Sequence, residues 1–286
     1  MKYDIIVIGS GPAGLSAALT ARARNKTVLV AGNRWQDSPL ARAERVDNYL
    51  GLPHQSGAEL LEQFHDHAKE MGVEFLEGRA LSALAWEGFQ VNVGSQVVSG
   101  GALILAPGVV RQQKFPGEAE YLGRGVSYCA TCDGMLYRGK SVAVVGRSPD
   151  APEEANFLKN LGCQVTYLAP RRPETLEADI PFVKTGTVEI QGELTVTGLI
   201  ANGETIPCAG VFILRPAVAL TDLLPALETE NGIVKTDRTM ATNLPGVFAA
   251  GDCTGGPLQV AKAAGEGQVA ALSACAYLDA PAHQTP

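Results

Sequence analysis

The sequence is short of the residues that build a zinc centre, a nucleic-acid surface or a membrane span. It has six cysteines and four histidines in 286 residues. One pair of cysteines, Cys129 and Cys132, stands two residues apart, while Cys163, Cys208, Cys253 and Cys275 stand singly. Half a zinc site uses the same C-x-x-C spacing, but no second pair supplies the other two ligands. His65 and His67 do not share a helix face and read as surface residues rather than metal ligands. Basic residues are outnumbered 23 to 30, for a formal charge of -7, which disfavours nucleic acid as a partner. No run of 18 apolar residues appears, and the N-terminus has no small-residue cleavage site, so the chain reads as neither membrane-spanning nor secreted. Six cysteines in such a chain point to a reducing cytoplasm, where a C-x-x-C pair is catalytic more often than structural.

What is present suits two domains and a large core, with 46% hydrophobic residues and 32 glycines for tight turns. Residues 3–8 form a near-continuous apolar run, as a buried parallel strand requires. The motif GSGPAG follows, comprising Gly9, Ser10, Gly11, Pro12, Ala13 and Gly14, then a helical pattern through Arg24 and a strand at 28–30. Strand, G-x-G-x-x-G, helix, strand is the context of a dinucleotide fingerprint. Gly9 makes the tight turn, Gly11 lets backbone approach a pyrophosphate, and Gly14 lets the helix pack on the strand. No acid ends the second strand, where Ala31 and Gly32 stand, so the ribose contact falls to backbone or Asn33.

Residues 34–57 read as a polar loop, 57–71 as a helix, 73–98 as antiparallel strands and 102–108 as a buried strand with its turn. Residues 111–117 read as a linker. The pattern then restarts, with a strand at 141–146, a helix at 152–161 and a strand at 164–168. A buried strand at 246–252 and a small-residue helix at 258–278 close the chain. The expected fold class is therefore α/β: two Rossmann-like nucleotide-binding domains, the second inserted into the first. The expected boundaries are 1–112 with 241–286 for the first and 113–240 for the second, with crossings at 111–117 and about 234–243.

GSGPAG at 9–14, DNYLG at 47–51, CATCD at 129–133 and GVFAAGD at 246–252 together resemble the low-molecular-weight thioredoxin reductases, over nearly the whole chain. The resemblance implies FAD in the first domain, a homodimer, and thioredoxin as disulfide substrate. It places Asn48 near the isoalloxazine, Asp252 near the ribityl chain and Gln259 at the start of the last helix. Gly108, Gly251 and Val260 join the cofactor-binding candidates. It makes Cys132 the flavin-facing sulfur, Cys129 the attacking one and Asp133 the proton donor and acceptor. Cys253 reads as a small core residue.

The inserted domain departs from the family pattern. The second fingerprint ends as Gly146, Arg147, Ser148, Pro149, Asp150 and Ala151, with side chains where backbone should meet a pyrophosphate. Only Arg171 and Arg172 match the family's 2′-phosphate motif, and residues 214–218 (LRPAV) replace its later nicotinamide motif. In these features, and in the stretches at 57–60, 251–255 and 265–272, the chain resembles the ferredoxin-dependent flavin thioredoxin reductases. That branch implies ferredoxin as electron donor and no use of NADPH, with Arg22, Arg24 and Lys26 as basic residues for an acidic ferredoxin. Two alternatives stand beside it: an NADPH-dependent thioredoxin reductase, for which the Arg171–Arg172 pair argues, and a flavin-bound redox sensor, against which an intact CATCD argues.

Overall fold

The computed structural model describes residues 2–109 and 114–280. Residues 111–113 of the expected linker, and the expected boundary at 112, lie outside the described residues. The chain begins with β1 (Lys2–Ile8), α1 (Pro12–Ala23), β2 (Val28–Gly32), α2 (Gly57–Glu70), β3 (Glu74–Glu77), β4 (Ala80–Ala85), β5 (Phe89–Val93) and β6 (Gln96–Leu105). There follow α3 (Glu118–Tyr121), β7 (Val126–Ser127), α4 (Ala130–Asp133), β8 (Ser141–Gly146), α5 (Ala151–Asn160), β9 (Gln164–Ala169) and β10 (Phe182–Lys184). Then come β11 (Glu189–Gly192), β12 (Val196–Ala201), β13 (Glu204–Pro207) and β14 (Gly210–Leu214). The chain ends with α6 (Leu220–Leu223), β15 (Thr229–Glu230), β16 (Ile233–Val234), β17 (Val247–Ala249) and α7 (Val260–Asp279).

Packing divides the chain into one unit of residues 1–111 with 217–286 and another of residues 112–216. The return to the first unit thus comes at Ala217, earlier than the expected 241, and the segment 234–243 lies inside that unit. The reason is apolar: Leu220, Leu223, Leu224, Leu227 and Val234 are buried in one core with Leu103, Leu105 and Ala249.

The first unit is built on a seven-stranded sheet in the order β3-β2-β1-β6-β5-β4, with β17 also on β6. Strands β1, β2, β3, β6 and β17 run parallel, and β4 and β5 antiparallel. The second edge of β6 is shared, residues 96–100 pairing with β5 and 103–105 with β17. β1 is apolar from Ile5 to Ile8 because both its faces are covered there: Ile5 and Val7 pack beneath α1 and α7, Ile6 and Ile8 against the α6 side. α1 and α7 meet through small residues, Ala17, Ala18 and Ala21 sharing a core with Ala270, Ala271 and Ala274.

The second unit has a five-stranded parallel sheet in the order β10-β9-β8-β14-β7 and a three-stranded antiparallel sheet β11-β12-β13. Its β8–α5–β9 repeats β1–α1–β2, and β8 sits between β9 and β14 as β1 sits between β2 and β6. The expected α/β class, two Rossmann-like units with the second interrupting the first, is the one observed.

Candidate functional site

The glycine cradle of the first unit is set by close backbone approaches. Gly9 has φ of 116°, and a Cβ there would lie 2.1 Å from the Ala106 carbonyl oxygen. A Cβ on Gly14 would lie 1.9 Å from the Gly9 oxygen. Gly11 is different: its backbone is extended and a Cβ would meet nothing within 4 Å. Gly11 caps α1 without a side-chain hydrogen bond, and Pro12 opens the helix. Open space beside Gly11 thus lies at the positive end of the α1 dipole, which is what a pyrophosphate requires.

Other candidates converge on this cradle. A Cβ on Gly251, whose φ is 85°, would lie 2.8 Å from the Ala13 Cβ, so the turn carrying Asp252 packs on the first turn of α1. The Ser10 hydroxyl donates to the Asn33 carbonyl at 2.8 Å. A Cβ on Gly32 would come within 3.2 Å of Ser10 N, so the small residue at the end of β2 has a packing reason. Asn48 Nδ2 donates to Gln259 Oε1 at 2.5 Å, joining the DNYLG loop to the N-cap of α7, just before Val260. Gly108 has φ of 75° and open space around it.

Two residues without a sequence-level role hold the Asp252 turn. Lys262 Nζ donates to Gly251 O at 2.8 Å, Gly255 O at 2.7 Å and Thr254 Oγ1 at 3.0 Å. Glu266, one helical turn on and 3.0 Å from Lys262, accepts from Gly251 N–H at 2.9 Å and from the Thr254 hydroxyl at 2.8 Å. Burial pushes the Asp252 carboxyl up; Lys262 opposes this and Glu266 adds to it. Cys253 is buried and its thiol is pushed up to about 12 by that burial, so it stays neutral, as a core residue does.

In the second unit Cys129 and Cys132 form a disulfide across α4, with Cα atoms 5.4 Å apart. Cys129 is buried and Cys132 exposed. Cys129 caps α4 through its sulfur, which accepts from Cys132 N–H at 3.1 Å. Ser127 Oγ donates to Asp133 Oδ2 at 2.6 Å and accepts from Cys129 N–H at 3.1 Å, tying the carboxylate to the cysteine backbone. Glu154 of α5 accepts from Ala130 N–H at 2.9 Å.

In the second fingerprint a buried serine, Ser148, stands where Gly11 stands in the first, and Arg147 where Ser10 stands. A Cβ on Gly146 would lie 1.9 Å from the Tyr167 hydroxyl oxygen. Arg147 donates to the Gly186 carbonyl at 2.7 Å. At the start of α5 stand Asp150, Pro152, Glu153 and Glu154, an acidic first turn with one N–H removed by proline. Arg172 donates to the carbonyls of Glu177, Ile180 and Ala178 at 2.8, 3.1 and 3.2 Å. Among the basic residues expected to meet an acidic partner, Arg22 donates to Met71 O and Lys26 O, and Lys26 pairs with Asp279. Two of those three thus serve the unit's own turns.

No group of three or more His, Cys, Asp or Glu placed to hold a metal occurs among the described residues, and no helix among them is long and apolar enough to cross a membrane.

An open pyrophosphate cradle and a reducible disulfide in one chain define a dinucleotide-dependent disulfide oxidoreductase. The family model described as pyridine nucleotide-disulphide oxidoreductase matches residues 3–267. The thioredoxin reductase of Listeria innocua is 34% identical, over 97% of this chain and 94% of its own. Among solved structures, a ferredoxin-flavin thioredoxin reductase from Clostridium acetobutylicum superposes with a TM-score of 0.91 at 40% identity, covering 98% of both chains. A thioredoxin reductase from Gloeobacter violaceus does so with 0.83 at 32%, covering 99% of this chain and 96% of its own. The chain belongs to the thioredoxin reductase family, the flavoprotein thioredoxin-disulfide oxidoreductases.

The family implies FAD, and the first unit fits it: the space above Gly11 and the uncapped start of α1 suit a pyrophosphate.

Proposed function

We propose that the protein is a ferredoxin-dependent flavin thioredoxin reductase, passing electrons from reduced ferredoxin through FAD to Cys129–Cys132 and on to thioredoxin. The observation that carries the choice of donor is the state of the second fingerprint. Ser148 stands buried where Gly11 stands in the first fingerprint, Arg147 is turned onto Gly186 O, and α5 opens with acids and a proline. These features oppose a pyrophosphate where a nicotinamide cofactor would need one. Arg172, half of the pair that argues for NADPH, donates to three carbonyls of its own loop. The similarity to the Clostridium acetobutylicum protein points the same way.

When bound, FAD supplies conversion of single-electron delivery into two-electron reduction of a disulfide. In this reading residues 9–14 and the uncapped start of α1 hold its pyrophosphate. Asn33, Asn48, Gly108, Gly251, Asp252, Gln259 and Val260 line it. Opening the Cys129–Cys132 bond consumes two electrons and two protons. Cys132, the exposed sulfur, faces the flavin, and Cys129 attacks the disulfide of thioredoxin once uncovered. Asp133 is the carboxyl that exchanges protons with the thiols, held for it by Ser127. Two such chains form the working dimer.

The test mixes purified, flavin-loaded protein anaerobically with NADPH, or with reduced ferredoxin and thioredoxin. Flavin bleaching by ferredoxin alone, with thioredoxin reduction weakening as salt rises, is the expected result, since opposite-charge docking is screened over about 10 Å at 0.1 M. Bleaching by micromolar NADPH within seconds refutes the donor assignment.

A further inference from the structure

The two places where the second unit departs most from a nucleotide-binding pattern come together. Arg147, on the β8–α5 turn, and Arg215, just past β14, both lie against Phe115, their guanidinium carbons 5.5 Å and 4.9 Å from its ring centroid. Arg215 donates to both oxygens of Glu118, at 2.5 Å and 2.7 Å. Glu118 is fully buried and Arg215 nearly so, and a buried carboxylate of this kind persists only when its lone pairs are filled. Two further donors fill them: Phe115 N–H at 2.8 Å to Oε2 and the Tyr128 hydroxyl at 2.9 Å to Oε1. Burial pushes the Glu118 carboxyl up, but Arg215 and the other donors outweigh it and hold the group below the usual carboxylate range.

Tyr128 immediately precedes Cys129 and continues from β7, where Ser127 pairs with Phe212 of β14. One carboxylate therefore ties three parts of the unit: the segment by which the chain enters it, the strand end at which it leaves, and the residue beside a redox sulfur. We propose that Glu118 is a positioning residue for the disulfide: locked by Arg215, it holds the Tyr128 hydroxyl and through it the backbone that carries Cys129. The pair itself makes and breaks no covalent bond. The inference rests on the family's disulfide chemistry and is independent of which donor reduces the flavin.

Tyr128→Phe is the discriminating variant, because it removes the tether and leaves Glu118–Arg215 whole. Full-length, FAD-loaded protein is equilibrated with dithiothreitol, whose two thiols close to a cyclic disulfide as Cys129–Cys132 takes up two electrons and two protons. Thiol trapping reads the ratio. The exchange constant is expected to shift roughly threefold to tenfold, the worth of one hydrogen bond, with FAD content unchanged. Glu118→Met with Arg215→Met, which removes the pair without leaving a lone charge, should shift it in the same direction, and adding Tyr128→Phe should then change nothing further. An exchange constant in Tyr128→Phe equal to that of the natural protein overturns the proposal. So does a Tyr128→Phe effect undiminished in the double-Met background. If that background does not fold, the single Tyr128→Phe measurement decides.

Discussion

Gly11→Val and Gly14→Ala should fail in opposite ways, because the two glycines exist for different reasons. At Gly11 the backbone has φ of -85° and ψ of -176°, which any residue adopts, and a Cβ meets nothing within 4 Å. Valine there should cost the flavin-free protein only about 0.5–1 kcal/mol, the difference between a favoured and a poor N-cap residue. The branched side chain instead enters the space over the start of α1 where the pyrophosphate is proposed to lie. Losing two charge-assisted backbone contacts of about 1.5–3 kcal/mol each weakens FAD binding by roughly a hundredfold to ten-thousandfold. At Gly14 a Cβ would lie 1.9 Å from the Gly9 oxygen, so alanine must push α1 off β1. Overpacking of this kind costs about 1–3 kcal/mol or more, which lowers Tm by several degrees with or without flavin. The assay is a pair of measurements on flavin-stripped protein: thermal unfolding, and FAD titration by flavin fluorescence. Yellow, stoichiometrically loaded Gly11→Val protein refutes the cradle, and equal losses of flavin-free stability in the two variants refute the distinction between them.

Cys129→Ser should abolish thioredoxin reduction while the donor still bleaches the flavin, whereas Cys132→Ser should also remove any thiolate-to-flavin charge-transfer absorbance of the reduced protein; loss of that band in Cys129→Ser alone reverses the assignment of the two sulfurs. Lys262→Met deletes the contacts to Gly251 O, Gly255 O and Thr254, and should raise the FAD Kd about tenfold to a hundredfold, from a charged hydrogen bond worth about 1.5–3 kcal/mol; an unchanged Kd by fluorescence titration refutes it. Glu118 has a depressed folded-state pKa, so its contribution to stability is complete above the ordinary value of 4.5 and is lost as pH falls through the lower folded value. Glu118→Gln should therefore flatten the acid limb of unfolding below pH 4.5 and cost about 3–5 kcal/mol at neutral pH by leaving Arg215 unpaired, and an acid limb identical to that of the natural protein counts against the pair.

What the sequence made legible is what local rules determine. GSGPAG between a buried strand and a helix is a short-range pattern, and the close approaches at Gly9 and Gly14 are its direct consequence. C-x-x-C likewise declares a possible disulfide through spacing alone. The return of the chain to the first unit has no such local signal. Leu220, Leu223, Leu224 and Leu227 have helical spacing, but α6 is only four residues long and its burial is decided by β6 and β17, distant in sequence. Lys262 and Glu266 look like an ordinary exposed i, i+4 pair; what makes them structural is the turn at 251–255 beneath them.

The inserted unit shows the same limit from the other side. Arg147 and Arg215 register in the sequence as losses, charged side chains where a nucleotide fold needs glycine or another motif. Glu118 and Arg215 are 97 residues apart, so no window along the chain could join them. In three dimensions the departures differ: Arg215 has Glu118 and the Phe115 ring, whereas Arg147 has Gly186 O and that same ring, with its Nη1 and the Ser148 hydroxyl buried without a hydrogen-bond partner. Random erosion of a binding site leaves buried charges unmatched, which costs several kcal/mol apiece. A buried arginine matched bidentately to a carboxylate that also receives Tyr128 is instead a rebuilt interior. Of the departures from the nucleotide-binding pattern, Arg215 is thus the one that, through Glu118 and Tyr128, reaches the strand carrying the disulfide.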